Sequence, residues 1–214
     1  MNKRIAVAFV TASLLAAAGQ AQASIMFRAV MTHDQEVPAQ PNEGTSGIAT
    51  FVLNDAQNRL TYDVRLTGLD LRRINTTPPN YGLTGGPVPG DANPNDDATR
   101  MHIHRAAAGV NGTIVFGMFD TGVALLNDVN DLLVDIPGLH ITGAWDLAEG
   151  NATTLGAELA NLLAGRLYLN VHTADHAPGE IRGQILRVPE PGSLALLGLG
   201  VLGLLGARAS RRSA

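Results

Sequence analysis

Three histidines stand in a pattern that could bind a transition metal. His102 and His104 are separated by one residue in "TRMHIHR", and His172 lies in "RLYLNVHT". Neutral imidazoles are good ligands for copper and zinc, and a rigid strand would fix the angle between two ligands spaced in this way. The sequence therefore offers a candidate copper or zinc site, with His176 or Asp175 as a candidate fourth ligand.

Both histidine segments alternate polar and apolar residues, as half-buried β-strands do. If the two strands are neighbours, the three imidazoles converge on one face of a sheet. The alternative is that the histidines form hydrogen bonds across the strands and hold loops to the sheet. The predicted histidine faces carry His102 and His104 on the first strand and Tyr168, Asn170 and His172 on the second, opposite Met101, Ile103, Leu167, Leu169 and Val171.

A period of two recurs along most of the chain and predicts antiparallel strands. One helix is predicted over 153–165, where four leucines (155, 159, 162 and 163) share a face and Gly165 closes the end. The stretch at 128–136 fits neither pattern clearly. About eight short strands with a single helix predict an all-β domain, an antiparallel sandwich or barrel. The predicted strands are "IMFRAVMT", "GIATFVLN", "RLTYDVRLTGL", "TRMHIHR", "GTIVFGMF", "GLHITGAW", "RLYLNVHT" and "EIRGQILR".

Residues 70–99 form a long segment rich in Pro, Gly and Asn. Four oxygen-bearing residues within it are spaced two apart, as in a calcium loop: Asp91, Asn93, Asn95 and Asp97. The sixth position of that loop lacks glycine, and His102 stands where a bidentate glutamate is needed. A solvated loop is therefore predicted instead of a calcium site.

The composition of residues 24–187 excludes several classes of function. Ten arginines, no lysine and 18 acidic residues give this part a formal charge of 10 − 18 = −8, which argues against nucleic-acid binding. The chain has no cysteine, so thiol catalysis and disulfides are excluded. The G-x-S-x-G and H-E-x-x-H motifs do not occur, and no nucleophile arrangement points to an enzyme.

The N-terminus has the three parts of a secretory signal peptide. Lys3 and Arg4 precede an apolar run from residue 5 to about 18, and Ala21-Gln22-Ala23 matches the site that signal peptidase cuts. We therefore predict a signal peptide over 1–23 and a mature chain that begins at Ser24.

The C-terminus combines Val188-Pro189-Glu190-Pro191, a 15-residue apolar segment at 193–207 and a basic tail with Arg208, Arg211 and Arg212. As a helix of about 22 Å, the apolar segment is short for a hydrocarbon core of about 30 Å. Residues 188–214 resemble the PEP-CTERM sorting signal of Gram-negative bacteria that make exopolysaccharide. The resemblance implies recognition by exosortase, transient membrane anchoring and a final place at the cell surface or outside the cell. A plain anchor is the alternative.

Residues 25–187 resemble the CHRD domain, common in exported bacterial proteins. Four motifs carry the resemblance: Gln35-Glu36-Val37-Pro38, His102-Ile103-His104, Asn170-Val171-His172-Thr173 and Gly179-Glu180-Ile181-Arg182-Gly183-Gln184. The resemblance implies an antiparallel Greek-key β-sandwich over 24–187 and no established reaction.

Three functions follow, in order of preference. The first is a non-enzymatic module, secreted or surface-displayed, that binds or organises exopolysaccharide or matrix proteins. The second is a copper or zinc site at His102, His104 and His172. The third is an enzyme like Cu,Zn superoxide dismutase, which also uses an H-x-H strand.

Glu180 and Arg182 would lie on the same face of the last strand, where we predict a structural ion pair.

Overall fold

The computed structural model describes residues 24–71, 74–75, 82–83, 93, 95–120, 131–189 and 200. Among these residues are twelve β-strands, one α-helix and a 3-10 turn at His33–Gln35. The helix, α1, spans Leu155–Leu163. The strands are β1 Ile25–Thr32, β2 Ser46–Leu53, β3 Arg59–Thr67, β4 Ile74–Asn75, β5 Gly82–Leu83, β6 Ala98–Arg105, β7 Thr113–Asp120, β8 Leu133–Asp135, β9 His140–Asp146, β10 Leu167–Thr173, β11 Ile181–Gln184 and β12 Leu186–Arg187.

Ten of these strands form one antiparallel sheet in the order β7-β6-β10-β11-β1-β2-β3-β9-β8, with β12 paired to β1. The sheet curls into a half barrel, so that strands from its two ends face each other across the core. Phe116 of β7 stacks on Trp145 of β9 with ring centroids 4.8 Å apart. The predicted antiparallel all-β architecture with a single helix is confirmed, while the Greek-key order stays a prediction.

The core is built by the alternation of apolar and polar residues along the strands. On β3 the residues Leu60, Tyr62, Val64 and Leu66 are buried, and the residues between them are exposed or half-buried. Their neighbours on β1 and β2 repeat the pattern, because antiparallel partners share a face and water is excluded from one side only. The other face of the sheet remains available for polar residues.

Helix α1 begins and ends at the residues that helix-capping chemistry favours. The Thr154 hydroxyl accepts a hydrogen bond from the backbone N–H of Ala157 (3.2 Å) and so satisfies one of the free donors of the first turn. Gly165 follows the helix with a φ of +65°, a conformation that glycine adopts without strain. Leu155 and Leu162 are fully buried in the core, as predicted.

The predicted apolar face of the helix is wrong at one position. Leu163 is 42% exposed, whereas Glu158 is buried in the interior with 1% exposure. Its carboxylate accepts hydrogen bonds from Arg105, Thr153 and Asn161, each at 2.8 Å. A buried carboxylate is tolerated here because three donors replace the water it loses.

Three further segments refine the prediction. The ambiguous stretch at 128–136 contains strand β8, and the last predicted strand breaks at Ile185 into β11 and β12. Within 70–99, β4 and β5 form a short hairpin. Of the four residues spaced like a calcium loop, Asn93 and Asn95 are exposed, Asp97 is fully buried, and Asp91 lies outside the described residues. The solvated-loop prediction is therefore wrong for Asp97.

The predicted signal peptide at 1–23 and most of the predicted sorting segment, residues 190–214 except residue 200, lie outside the described residues. In the part of the chain that the structure describes, no helix has the length and apolar character required to cross a membrane.

Candidate metal centre

The three histidines predicted from the sequence meet on the face of the sheet that is turned away from the core. Strands β6 and β10 are hydrogen-bonded neighbours, with His102 opposite Asn170 and His104 opposite Tyr168. His172 lies two residues further along β10 on the same face. One ligand atom from each of His102, His104 and His172 lies within 4.8 Å of the others, and all three side chains are buried.

Backbone carbonyls fix which nitrogen of two imidazoles carries the proton. His104 Nδ1 lies 3.0 Å from the carbonyl oxygen of Gly112, and His172 Nδ1 lies 3.0 Å from that of Ala177. A carbonyl oxygen only accepts, so each Nδ1 must be the N–H donor. The lone pair is therefore on Nε2 of both rings. Each Nε2 is buried and has no hydrogen-bond partner among the described residues.

Close backbone approach places the Gly112 carbonyl beside His104. A Cβ at position 112 would lie 2.0 Å from the carbonyl oxygen of Arg105, so the segment after β6 can pass this close only with glycine. The Gly112 N–H donates to the Tyr168 hydroxyl (3.1 Å), and the Tyr168 ring stacks on His104 with centroids 4.9 Å apart. His104 is thus held through both its Nδ1 and its ring face.

Burial keeps these imidazoles neutral. It lowers the pKa of His104 to about 4, and the positive charge of Arg182 and the neighbouring His102 act in the same direction. Burial, with His102 as the next cause, lowers the pKa of His172 to about 3. A neutral imidazole is the form that ligates a metal, so protons do not compete for these two Nε2 atoms near neutral pH.

The dimensions of the cluster fit a metal ion after a small adjustment. Imidazole nitrogens bind zinc at about 2.0–2.1 Å, and in a tetrahedral site this places the ligand atoms about 3.3–3.4 Å from one another. The separations here extend to 4.8 Å. Ring rotations that move each nitrogen inward by less than about 1 Å close the site, and such movements are available to side chains on adjacent strands.

The candidate fourth ligands do not join this cluster. His176 Nδ1 lies 3.2 Å from Gln40 Oε1 and its Nε2 lies 3.5 Å from Glu43 Oε1, so this ring links two loops. Asp175 is exposed. Both follow the irregular end of β10, where a register shift after His172 turns the chain away from the histidine face. The prediction of a fourth ligand from these two residues is therefore wrong.

Arg182 is buried beside the histidines, in a group of polar side chains that we call the buried polar layer, but it does not form the predicted ion pair. Its guanidinium lies 3.7 Å from the centroid of the Tyr168 ring, and it donates to Asn111 Oδ1 (3.0 Å) and to the Val110 carbonyl (2.7 Å). Glu180 instead accepts a hydrogen bond from the Thr173 hydroxyl at 2.7 Å. The predicted pair between Glu180 and Arg182 is therefore not formed: the guanidinium is bound by the loop at 106–112, and Glu180 is bound by Thr173.

Sequence reasoning missed a buried acid beside this layer. Glu36 follows β1 and is 6% exposed, and burial raises its pKa to about 7 although Arg182 acts in the opposite direction. A Cβ at Gly179 would lie 2.7 Å from Glu36 Oε1 and from both amide atoms of Asn170. In the sequence, only the family motif that contains Glu36 pointed to this residue, because a glutamate that follows a strand is ordinarily exposed.

Each of the four motifs that carry the family resemblance therefore places a residue in the buried polar layer or at its edge. Glu36 comes from the first, His102 and His104 from the second, His172 from the third and Arg182 from the fourth. Each motif thus supplies polar residues to the buried polar face, while Ile103, Val171 and Ile181 of the same motifs point into the apolar core.

Comparison with known protein families agrees with this pattern. Residues 27–185 match the CHRD domain, and residues 187–212 match the PEP-CTERM protein-sorting motif. Motifs of that class are recognised by exosortase and imply export and sorting to the cell surface. No curated protein and no solved structure matches the chain, so the likeness to Cu,Zn superoxide dismutase stays an interpretation of the H-x-H strand. The chain belongs to the CHRD domain family and carries a PEP-CTERM sorting motif at its C-terminus.

Proposed function

We propose that this exported protein carries a copper or zinc ion on His102, His104 and His172. The observation that supports the proposal is the convergence of three buried ligand atoms within 4.8 Å, with Nδ1 of two rings engaged by backbone carbonyls. Metal-ligating histidines characteristically donate their second ring nitrogen to such an acceptor, which fixes the tautomer and orients the ring. A purely structural role for these histidines would leave two buried Nε2 atoms without a partner.

The donor set favours copper or zinc among the biological metals. Three imidazoles without a thiolate suit zinc and copper, whereas calcium and magnesium prefer oxygen ligands. A three-histidine site leaves a coordination position for water or an outside ligand, since neither His176 nor Asp175 joins the cluster.

Elemental analysis of the purified full chain tests this proposal. We expect one copper or zinc ion per chain, lost in His104→Asn and in His172→Asn. Asparagine keeps an N–H near the position of Nδ1 and so preserves the bond to Gly112 or Ala177, but it removes Nε2. The matched control is His176→Asn, which lies outside the cluster and should keep the metal. Metal content that survives both cluster variants would refute the proposal.

A second candidate function is binding of extracellular polysaccharide or matrix protein. It is favoured by a depression of about 370 Å³ on the outer face of β2, β3 and β9. Hydroxyl and charged side chains suited to sugar hydroxyls line it, including Thr50, Arg59, Thr61, Asp63 and Thr142. We expect Thr61→Arg, which fills the depression, to abolish retention on immobilised exopolysaccharide while His104→Asn leaves retention unchanged. Equal retention of wild type and Thr61→Arg would remove this candidate.

We further propose that the apolar segment at 193–207 is a transient membrane handle that exosortase removes by cutting near Pro189–Pro191. The support is its short length with the flanking Pro-Glu-Pro and arginines, together with the sorting motif at 187–212. In a host without exosortase the full-length chain should accumulate in the membrane fraction, and in a host with exosortase a shorter chain should leave it. Identical chain length in both hosts would contradict this step.

A further inference from the structure

An exposed apolar patch covers the outer face of the sheet where β12, β1 and β2 lie side by side. Met26, Val30, Ile48 and Leu186 are 48%, 49%, 43% and 55% exposed. The pairing places Val30 opposite Ile48, and Leu186 opposite the exposed Arg28. Antiparallel partners share a face, so these five side chains form one surface, which we call the apolar patch. Contiguous apolar surface of this kind marks an interaction site more often than isolated exposed residues do.

Both apolar terminal segments are joined in sequence to the strands that carry this patch. The predicted signal peptide ends at Ala23, and a single residue separates it from β1, whose first residue is Ile25. At the other end the Val188 N–H donates to the Met26 carbonyl (2.8 Å), which fixes the chain beside β1. The apolar segment begins at Ser193, five residues later. Five residues of extended chain span at most about 18 Å, so the inserted segment would hold the patch next to the bilayer.

The charge of the patch matches a membrane surface. Arg28 lies among the four apolar side chains, and the nearest acidic residue in its row across the sheet is Asp63, beyond Thr50 and two strands away. A cation flanked by apolar side chains suits the boundary between anionic headgroups and acyl chains. The depression on β2, β3 and β9 lies further along the same face, and the charged side chains on that part of the face include Arg59 and Asp63.

We propose that the apolar patch rests on the lipid bilayer, with Arg28 against lipid phosphates, while the terminal segment is inserted. The proposal rests on the transient insertion of 193–207 put forward above. The segment supplies the tether, which raises the effective concentration of the patch at the surface, and the patch sets the orientation of the domain. The Pro-Glu-Pro site then lies close to the membrane plane, where a membrane-embedded transpeptidase can reach it.

The absence of cysteine allows each surface to be probed by a single introduced thiol. Three variants of the full chain carry an environment-sensitive dye: Ile48→Cys in the patch, Leu202→Cys in the terminal segment and Ala39→Cys as the matched control. Ala39 is exposed in the segment that joins the far ends of β1 and β2, opposite the end where Ile25 lies. Each labelled chain is reconstituted in phosphatidylcholine vesicles with and without phosphatidylglycerol.

We expect a blue-shifted emission and loss of iodide quenching for the dyes at Ile48 and Leu202 in anionic vesicles, and an aqueous signal at Ala39. Arg28→Glu should reverse the Ile48 shift and leave the Leu202 shift unchanged. An aqueous Ile48 dye with an inserted Leu202 dye would overturn the proposal but leave the tether intact. Aqueous signals at both positions would overturn the patch and the tether together. A blue shift of the dye at position 48 that appears without lipid would show that the patch binds a second copy of the chain, and it would overturn the bilayer proposal.

Discussion

Removing the two buried imidazoles with known tautomers should change how the stability of the metal-free protein depends on pH. An exposed histidine in the unfolded chain has a pKa of about 6.5. In the folded protein burial lowers the pKa to about 4 for His104 and about 3 for His172. Below pH 6.5 the unfolded state therefore binds more protons than the folded state, and the folded state is penalised. The penalty is absent well above pH 6.5, grows as the pH falls and levels off below the folded pKa values.

The magnitude follows from the two shifts. Between pH 7 and pH 5 each imidazole should lower the free energy of unfolding by about 2 kcal/mol, so the pair accounts for about 4 kcal/mol. Glu36 acts in the opposite direction, because its folded pKa is raised to about 7. Its contribution rises by about 2 kcal/mol over the same range, since the folded state then binds the extra proton. The histidine effect must therefore be measured as a difference between two chains that both retain Glu36.

The assay is urea unfolding of EDTA-treated wild type and of the double variant His104→Asn/His172→Asn at pH 7, 6 and 5. We expect the wild type to lose about 4 kcal/mol more than the double variant across this range, whatever the starting stabilities. Parallel curves for wild type and double variant would refute the conclusion that the two imidazoles are held neutral.

Three further predictions concern the surrounding layer and the tail. Gly179→Ala should lower the free energy of unfolding by about 2–4 kcal/mol, because the methyl group would lie 2.7 Å from the Asn170 amide and the φ of residue 179 is +146°. Chemical denaturation measures this change, and an unchanged free energy of unfolding would contradict it. Arg182→Lys should cost about 3 kcal/mol by the same assay, since lysine cannot cover the Tyr168 ring and keep both hydrogen bonds; an unchanged midpoint would show that the stack contributes nothing. Deleting 190–214 should abolish membrane association in cell fractionation while the thermal midpoint stays the same, and a lower midpoint would mean that the tail is part of the fold.

The fold could be predicted from the sequence wherever one face of a strand is buried. The alternation of β3 and of the two histidine strands is set by water on one side and the core on the other, and the structure follows it. The single curled sheet could not be predicted, because the placement of β1 between β11 and β2 depends on contacts far apart in the chain. The helix was predicted at the position its capping residues indicate. Its buried face was predicted to include Leu163, whereas Glu158 is buried instead. This could not be predicted, because the hydrogen-bond partners of Glu158 lie outside the helix or one turn away.

The convergence of the three histidines was predictable from the sequence, whereas the groups that surround them were not. The spacing of His102 and His104 indicates a shared face, and the strand of His172 repeats it, so the convergence required only that the strands be neighbours. The carbonyls of Gly112 and Ala177 have no sequence signature, because any residue supplies a backbone oxygen. His176 was assigned to the site by its proximity in sequence, whereas the register shift at the end of β10 turns it toward Gln40.

X-ray absorption spectroscopy of the copper- or zinc-loaded full chain tests the metal centre most directly. We predict three imidazole nitrogens in the first shell at about 2.0–2.1 Å, with the outer-shell scattering of histidine rings, and loss of one ring in His104→Asn. A shell of oxygen atoms without imidazole scattering would contradict the assignment of His102, His104 and His172 as ligands.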